Sequence, residues 1–431
     1  MSIGYACLAI AVPGSDIKSC TLKNANDEHL LSLIGHNLDA LQKMIDYNAR
    51  NGIKLFRISS DLIPFGSSLA AELPWQDIYA EKLSDISNQI LRTGMRVSMH
   101  PGQYTVLNSP EKSVVERAVQ DLIYHAKVLD SLGLGPEHKL VLHLGGAYGD
   151  KKQAKSRFIS KYKELEPAVQ KRLVLENDGV VFNIMDVLDT AAVITAPVVY
   201  DNLHNAVNPA DIGRTDLDWI SLCSATWGKG DGLQKIHYSQ QHREKKPGAH
   251  SESIQIDTFL EFYRQLSGID VDIMLEVKDK NISALKCSNC ASAGGIGRLE
   301  AEWARYKYCV LERSPEIYTA VRKLLGDKGA YPAIEMYRMI EEALKLPVVA
   351  GKAVNAAQHV WGYFKDKASD SENKRFQNLL QKFLSGEGGV QAVKNNLWLL
   401  AKKYQEDYLL NGYYFDIKKE AKKWTAKKGC R

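Results

Sequence analysis

Short apolar runs recur along the first two-thirds of the chain, alternating with stretches of helical period. Residues 3–10 form the first run. Residues 29–50 follow, with Leu30, Leu31, Ile34, Leu38, Leu41 and Ile45 on one helical stripe. The segment IKLFRI at 53–58 alternates as a strand. The same rhythm predicts helices near 75–93, 111–132, 151–166, 180–192, 214–223 and 255–267. Between them it predicts strands at 95–100, 139–144, 172–176, 197–201, 233–237 and 271–277. Eight strands separated by helices, over about 280 residues, match the size of a (β/α)8 barrel. Pro64, Pro101, Gly145 and Gly179 follow strands, as tight turns require. A doubly wound open sheet is the alternative, but it gathers ligands at one switch point rather than around a ring.

After residue 278 the pattern changes to helical stripes rich in Tyr and Trp: 301–326, 331–346, 351–367, 372–385, 389–411 and 417–427. Pro315, Pro332, Pro347 and the GEGG run at 386–389 punctuate them. The expected organisation is an α/β TIM barrel at 1–280, a linker at 281–300 and a smaller all-α domain at 301–431.

Composition changes this picture little. With 45% hydrophobic and 25% charged residues, the chain reads as soluble and globular. It has no run of about 18 apolar residues, and its start lacks a secretory pattern. A cytoplasmic protein, without a membrane partner, is expected. Seven scattered cysteines argue for reduced thiols over a disulfide framework. Cys287-x-x-Cys290 has zinc-knuckle spacing but no second pair nearby, so no structural zinc is expected; Cys7 reads as core. Charge is uneven: 24 Lys/Arg face 16 Asp/Glu from residue 300 onward, against 32 and 35 before it. Lys418 to Lys428 is a basic tail, either a solvated helix end or a phosphate-attracting arm.

The candidate chemistry lies at the ends of the apolar runs. Val97 and Met99 lead to His100. Leu140–Leu142 lead to His143, and Leu173–Leu175 to Glu176. Val198–Tyr200 lead to Asp201, with His204 just after. Ile236 leads to His237, with His250 in the following loop, and Ile273–Leu275 lead to Glu276. One such residue means little; a buried, satisfied histidine is the ordinary case. A whole set at matching strand ends is how a parallel barrel collects a multi-metal site. Mixed His, Asp and Glu ligands suit Mn²⁺ or Zn²⁺ better than Mg²⁺. Two such ions about 4 Å apart can grip a phosphodiester from both sides.

Other residues qualify this reading. In the HPGQY turn at 100–104, Pro101-Gly102 makes a tight turn before Gln103 and Tyr104. Either the pair projects and fills a gap in a base stack, or Tyr104 packs inward; the residues leave both open. Arg57, ending the second strand, can hold a phosphate or a carboxylate. Lys235 lies two residues before His237, so both face the same side of their strand. A charged, unpaired lysine inside a barrel is costly, so it must be paired or chemically modified.

The segments GYACL (4–8), LFRISSDLIPF (55–65), SMHPGQY (98–104), LHLGGAYGDK (142–151) and LEND (175–178) resemble the UV damage endonuclease family. So do DNLHNAVNP (201–209), KIHYS (235–239), PGAH (247–250) and MLEVKDK (274–280). The resemblance covers about residues 1–300. It implies a TIM barrel that nicks damaged double-stranded DNA immediately 5′ to cyclobutane dimers, 6-4 photoproducts and sometimes abasic sites. It implies 3′-hydroxyl and 5′-phosphate products and Mn²⁺ as the favoured metal, two or three ions in all, with Zn²⁺, Co²⁺ or Mg²⁺ as substitutes. The metal ligands would be His100, His143, Glu176, Asp201, His204, His237, His250 and Glu276. Gln103 and Tyr104 would be the wedge at the flipped dinucleotide, with Arg57 also on the DNA side. Tyr5, Lys235 and Glu276 would be catalytic; Tyr5 would lie near the lesion or scissile phosphate, and Lys235 matches a position where the family can carry a carboxylated lysine. A monomer associated with the nucleoid is the matching expectation. One departure is visible: Leu8, Ala9 and Ile10 stand where family members often carry a polar, Asn-containing segment. The tail segments KYCVLERSPEIY (307–318) and NAAQHVWGYFK (355–365) resemble the YbgA-like helical domain, whose function is unsettled. From the residues alone, a metal-dependent sugar isomerase or epimerase on the same barrel is the runner-up. A non-catalytic damage-binding module is the third reading.

Overall fold

Eight parallel strands carry the apolar runs in the computed structural model, which describes residues 1–415. They are β1 Ile3–Ala6, β2 Leu55–Arg57, β3 Arg96–Ser98, β4 Leu140–His143, β5 Leu173–Glu176, β6 Val198–Asp201, β7 Lys235–Tyr238 and β8 Asp272–Leu275. The strand order is β3-β2-β1-β8-β7-β6-β5-β4. A parallel bridge from Met99 to Leu140 joins the two ends, with Met99 N–H donating to Lys139 O and Val141 N–H to Met99 O, both at 3.0 Å. The sheet is thus a barrel. Its strands are buried on both faces, which is why they read as nearly continuous apolar runs.

Local signals set the helices around it. The first, Asp27–Arg50, is capped by Asn26, whose side chain accepts from His29 N–H. It buries Leu30, Ile34, Leu38, Leu41 and Ile45, most of the stripe read from sequence. Asp150 caps Lys151–Glu164 in the same way. Two helices, Trp75–Ile78 and Ala80–Thr93, occupy the region read as one.

The chain divides into two compact units: Met1–Ala9, Gly14–Ile254 and Glu261–Leu285 in one, and Ile10–Pro13, Gln255–Leu260 and Lys286 onward in the other. The stretch expected as a linker carries helix Asn281–Ala291 and the start of helix Ile296–Leu311. Ile282, Leu285 and Cys287 are buried on the first of these, and Gly294-Gly295 separates the two. The helix read at 301–326 is broken before Pro315, because Ser314 caps a new helix, Pro315–Leu324. Helices Ala333–Lys345, Ala350–Trp361, Asp370–Leu384, Val390–Lys403 and Asp407–Leu410 complete the described part of the second unit. The helix expected at 417–427 and the basic tail Lys418–Lys428 lie outside the described residues. Among the described residues, no helix is long and apolar enough to cross a membrane.

Candidate metal centre

Strand register brings the ligand-type residues to one end of the barrel. His143 is in register with Glu176, and Asp201 with His237. His100 lies just past β3, where Ser60 Oγ donates to its carbonyl at 2.7 Å. His100 Nδ1 lies 3.0 Å from the Pro101 carbonyl, which leaves Nε2 toward Glu176 Oε2 at 2.9 Å. Asp201 ends β6 and caps the short helix Asn202–Val207, accepting from His204 N–H at 2.8 Å. That turn swings the His204 ring back over the strand ends, with Nδ1 2.9 Å from the Asn177 carbonyl.

Among the described residues, Glu176 is the common member of three potential ligand groups: His100 with His143, Asp201 with His204, and His237 with Glu276. In each group the ligand atoms lie within 4.8 Å of one another. His237 Nδ1 is 2.7 Å from Glu176 Oε1, and His143 Nε2 is 3.6 Å from Oε2. Both carboxylate oxygens therefore face imidazoles, so either could serve as a ligand beside a histidine. His250 stands farther out, its Nδ1 3.8 Å from Glu276 Oε2.

The site's electrostatics fit divalent cations. Burial alone would raise the pKa of Glu176, yet the imidazoles of His237 and His143 and the hydrogen bond from His100 hold it well below the carboxylate range. Burial pushes the Asp201 carboxyl up, and its Oδ2 is buried without a hydrogen-bond partner. A buried carboxylate oxygen without a hydrogen bond, on a residue whose Oδ1 lies 3.8 Å from His204 Nδ1, carries a cost that a bound cation would offset. His204 resists its own burial: Asp201, Glu176 and Glu276 lift its pKa to about 9. Its ring thus holds a proton at neutral pH, and an ion must displace that proton. Mn²⁺ affinity should rise as pH climbs from neutral toward about 9 and level off above it, read by calorimetry in buffers of different ionisation enthalpy. An affinity flat across that window would remove His204 from the ligand set.

The remaining sequence-derived residues divide into three kinds. Gln103 is exposed and Tyr104 is 63% exposed, so the tyrosine does not pack inward. The loop beneath them is anchored by Thr105 Oγ1 donating to Asp121 Oδ2 at 2.5 Å. Tyr104 folds over Gly102, where an added Cβ would lie 2.3 Å from its ring. Arg57 is 6% exposed; it donates to Glu276 Oε1 at 2.5 Å and lies 2.9 Å from His237 Nε2. Of its two possible partners, the one it meets here is a carboxylate. Lys235 is fully buried, and its Nζ has no hydrogen-bond partner.

Tyr5 requires a correction. It is fully buried, with its hydroxyl donating to Asn48 Oδ1 at 2.8 Å and its ring 5.1 Å from Phe56. A residue so enclosed offers DNA no surface, and burial pushes its phenol well above the normal range. After it, Ala9 and Ile10 are buried too, as their apolar character predicts.

One residue that positions a candidate ligand was not singled out from the sequence. Asn177 clamps Asp201, donating from Nδ2 to its carbonyl at 3.0 Å and accepting its N–H at 2.9 Å. Its signal was its place beside Glu176 in the LEND segment at 175–178. Val180 and Ile212 sit on the loops after β5 and β6, exposed by 86% and 93%. Asp178 accepts from the backbone N–H of Val180, Val181 and Phe182, and so holds that loop tip out.

A parallel barrel with a ring of imidazoles and carboxylates at the carboxyl ends of its strands defines a TIM-barrel protein with a candidate multi-metal centre. Comparison with known proteins makes this specific. Residues 1–302 match the family model described as UV-endonuclease UvdE, and residues 307–417 match one described as a protein of unknown function, DUF1722. A UV DNA damage endonuclease from Clostridium perfringens is 38% identical over 412 residues, covering 94% of this chain and 97% of that protein. One from Bacillus cereus is 28% identical, covering 70% and 98%. The crystal structure of SacUVDE is 36% identical, with a TM-score of 0.63 over 67% of this chain and 97% of that one. The chain belongs to the UV-endonuclease UvdE family, with a C-terminal DUF1722 domain.

Proposed function

We propose that this chain is a metal-dependent endonuclease that nicks double-stranded DNA 5′ to UV photoproducts. Its lesions are cyclobutane dimers and 6-4 photoproducts, and sometimes abasic sites; its products are a 3′-hydroxyl and a 5′-phosphate, and its favoured ion is Mn²⁺. One observation carries the reading: Glu176, shared by three ligand groups, lies at the strand ends from which the loop bearing Gln103 and Tyr104 rises to solvent. The names of the curated relatives agree with it.

Two or three divalent ions bound by these residues would supply an acidified water and offset charge on the leaving oxygen. The chain's own groups do the positioning. Asn177 and the helix after Asp201 aim Asp201 and His204. Arg57 keeps Glu276 ionised and oriented. Gln103 and Tyr104 enter the base stack and fill the gap that displaced bases leave. Val180 and Ile212 give the same face two further apolar tips for the distorted duplex.

With Mn²⁺, UV-irradiated plasmid should be nicked and unirradiated plasmid spared, and EDTA should stop the reaction. Equal treatment of both plasmids would sink the reading. Tyr104→Ala should lower the preference for irradiated over intact DNA about tenfold, the cost of roughly one stacking contact. Its metal content should match the parent's; unchanged discrimination would remove Tyr104 from the wedge.

A further inference from the structure

The helical unit holds a cavity that the endonuclease reading leaves unused. Its volume is about 70 Å³, and Glu312, Arg313, Lys394 and Tyr414 line it beside Leu344 and Val390. Glu312 and Arg313 follow helix Ile296–Leu311, Lys394 projects from Val390–Lys403, and Tyr414 follows Asp407–Leu410. Sites of one water take about 10–15 Å³ by this measure, so the space admits a molecule of several heavy atoms.

Donors outnumber acceptors there. Glu312 is 1% exposed and is engaged by both cations. Arg313 Nη1 donates to its Oε1 and, at 3.0 Å, to the Cys309 carbonyl. Lys394 Nζ lies 2.9 Å from Oε1 and 2.6 Å from Oε2, the latter a charge contact outside hydrogen-bond geometry. The same ammonium stands 4.2 Å over the Tyr414 ring. Two donors remain. Arg313 Nε and the Tyr414 hydroxyl are buried without partners, in residues 7% and 4% exposed, and Glu312 Oε2 is a buried acceptor likewise without a hydrogen bond. Two cations against one carboxylate leave a surplus positive charge in a place where an unpaired charge is costly.

We propose that this cavity is a binding site for a small oxyanion, of phosphate or carboxylate type. The oxyanion accepts from Arg313 Nε and Tyr414 Oη and neutralises the surplus charge beside Lys394. Its source is either a free inorganic ion or the terminal phosphate of a larger molecule.

The test is calorimetric titration of the full-length, Mn²⁺-loaded protein with inorganic phosphate and, separately, a nucleoside 5′-monophosphate. Each is repeated on Tyr414→Phe and Arg313→Gln. Because phosphate also meets the barrel's metals, the difference between parent and variants defines the site. Tyr414→Phe removes one hydroxyl and should weaken that binding about tenfold, with Arg313→Gln weaker still and lesion nicking unchanged in both. Tighter binding of the nucleotide than of phosphate would identify the larger source, and the reverse order the free ion. Should Arg313→Gln fail to fold, Tyr414→Phe and an anomalous map from selenate-soaked crystals decide the matter. Identical titrations for parent and folded variants, or only water in that map, would overturn the proposal.

Discussion

Glu176→Gln is expected to strip the centre of its ions and, with them, of lesion-dependent nicking. The argument is geometric. Every candidate ligand group contains Glu176, whereas Asp201 and Glu276 each belong to one. Its two oxygens face different imidazoles, His100 at Oε2 and His237 at Oε1. Gln keeps the shape but offers a single acceptor, and its amide nitrogen would point a donor at a ring or an ion. Removing a partner one layer out from a metal typically costs about 10–100-fold in affinity or activity, so loss of a shared ligand should exceed that range. Metal content after dialysis should fall toward zero, with helical content and fold retained by circular dichroism. Glu276→Gln should also abolish nicking yet keep part of the metal, because two groups survive. It should be destabilised by about 1–3 kcal/mol, since the buried Arg57 guanidinium loses its charged acceptor. A Glu176→Gln protein that retains the parent's metal content would refute the shared-ligand arrangement.

How far the sequence led follows from the same geometry. A parallel strand ends where its turn begins, so ligands at strand ends line up whether or not their contacts are known; His143 beside Glu176 is the register consequence. The sharing of Glu176 was hidden, because it depends on which way His100, His204 and His237 turn from three different strands. Tyr5 was misplaced for a related reason. Its motif says which strand it occupies, but both faces of a barrel strand are apolar, so the pattern is silent on whether a side chain reaches solvent. The break between 301 and 326 was readable in principle: Ser314 followed by Pro315 and Glu316 is a helix start. The helix at Asn281–Ala291 was harder to see, because its buried residues alternate with Ser, Lys and Asn that are themselves buried.

Intact Lys235 should carry an added carboxyl group, seen as extra mass under mild neutral conditions and lost on acidification. Its side chain enters the barrel interior two residues before His237, fully buried, with no hydrogen-bond partner for Nζ. Burial is the main force opposing its charge, and Arg96, Arg57 and Lys139 add to it; Asp272 is the carboxylate that opposes them. Asp272 is already engaged by Arg96 at 3.3 Å. Burial and these cations thus push the ammonium toward its neutral form, whose lone pair can attack an electrophile. Attack of Nζ on carbon dioxide forms an N–C bond while one C=O π pair moves onto oxygen; the N–H proton passes to water, and the product is a carbamate anion. That anion would reverse the local imbalance: Arg57 and Arg96 both act on Lys235 electrostatically, and Arg96 Nη2 and Arg57 Nε are both buried without an acceptor. Lys235→Met, close in length and unable to carry the group, should lower nicking by about 10–100-fold, the cost of losing a group behind a metal ligand. It should bind irradiated DNA as the parent does, because Gln103 and Tyr104 are untouched. It should also be less stable than the parent, since the two guanidinium groups lose their partner. A neutral, unmodified lysine predicts the opposite: no added mass, and a Lys235→Met protein at least as stable as the parent, because an apolar chain would replace an unsatisfied amine.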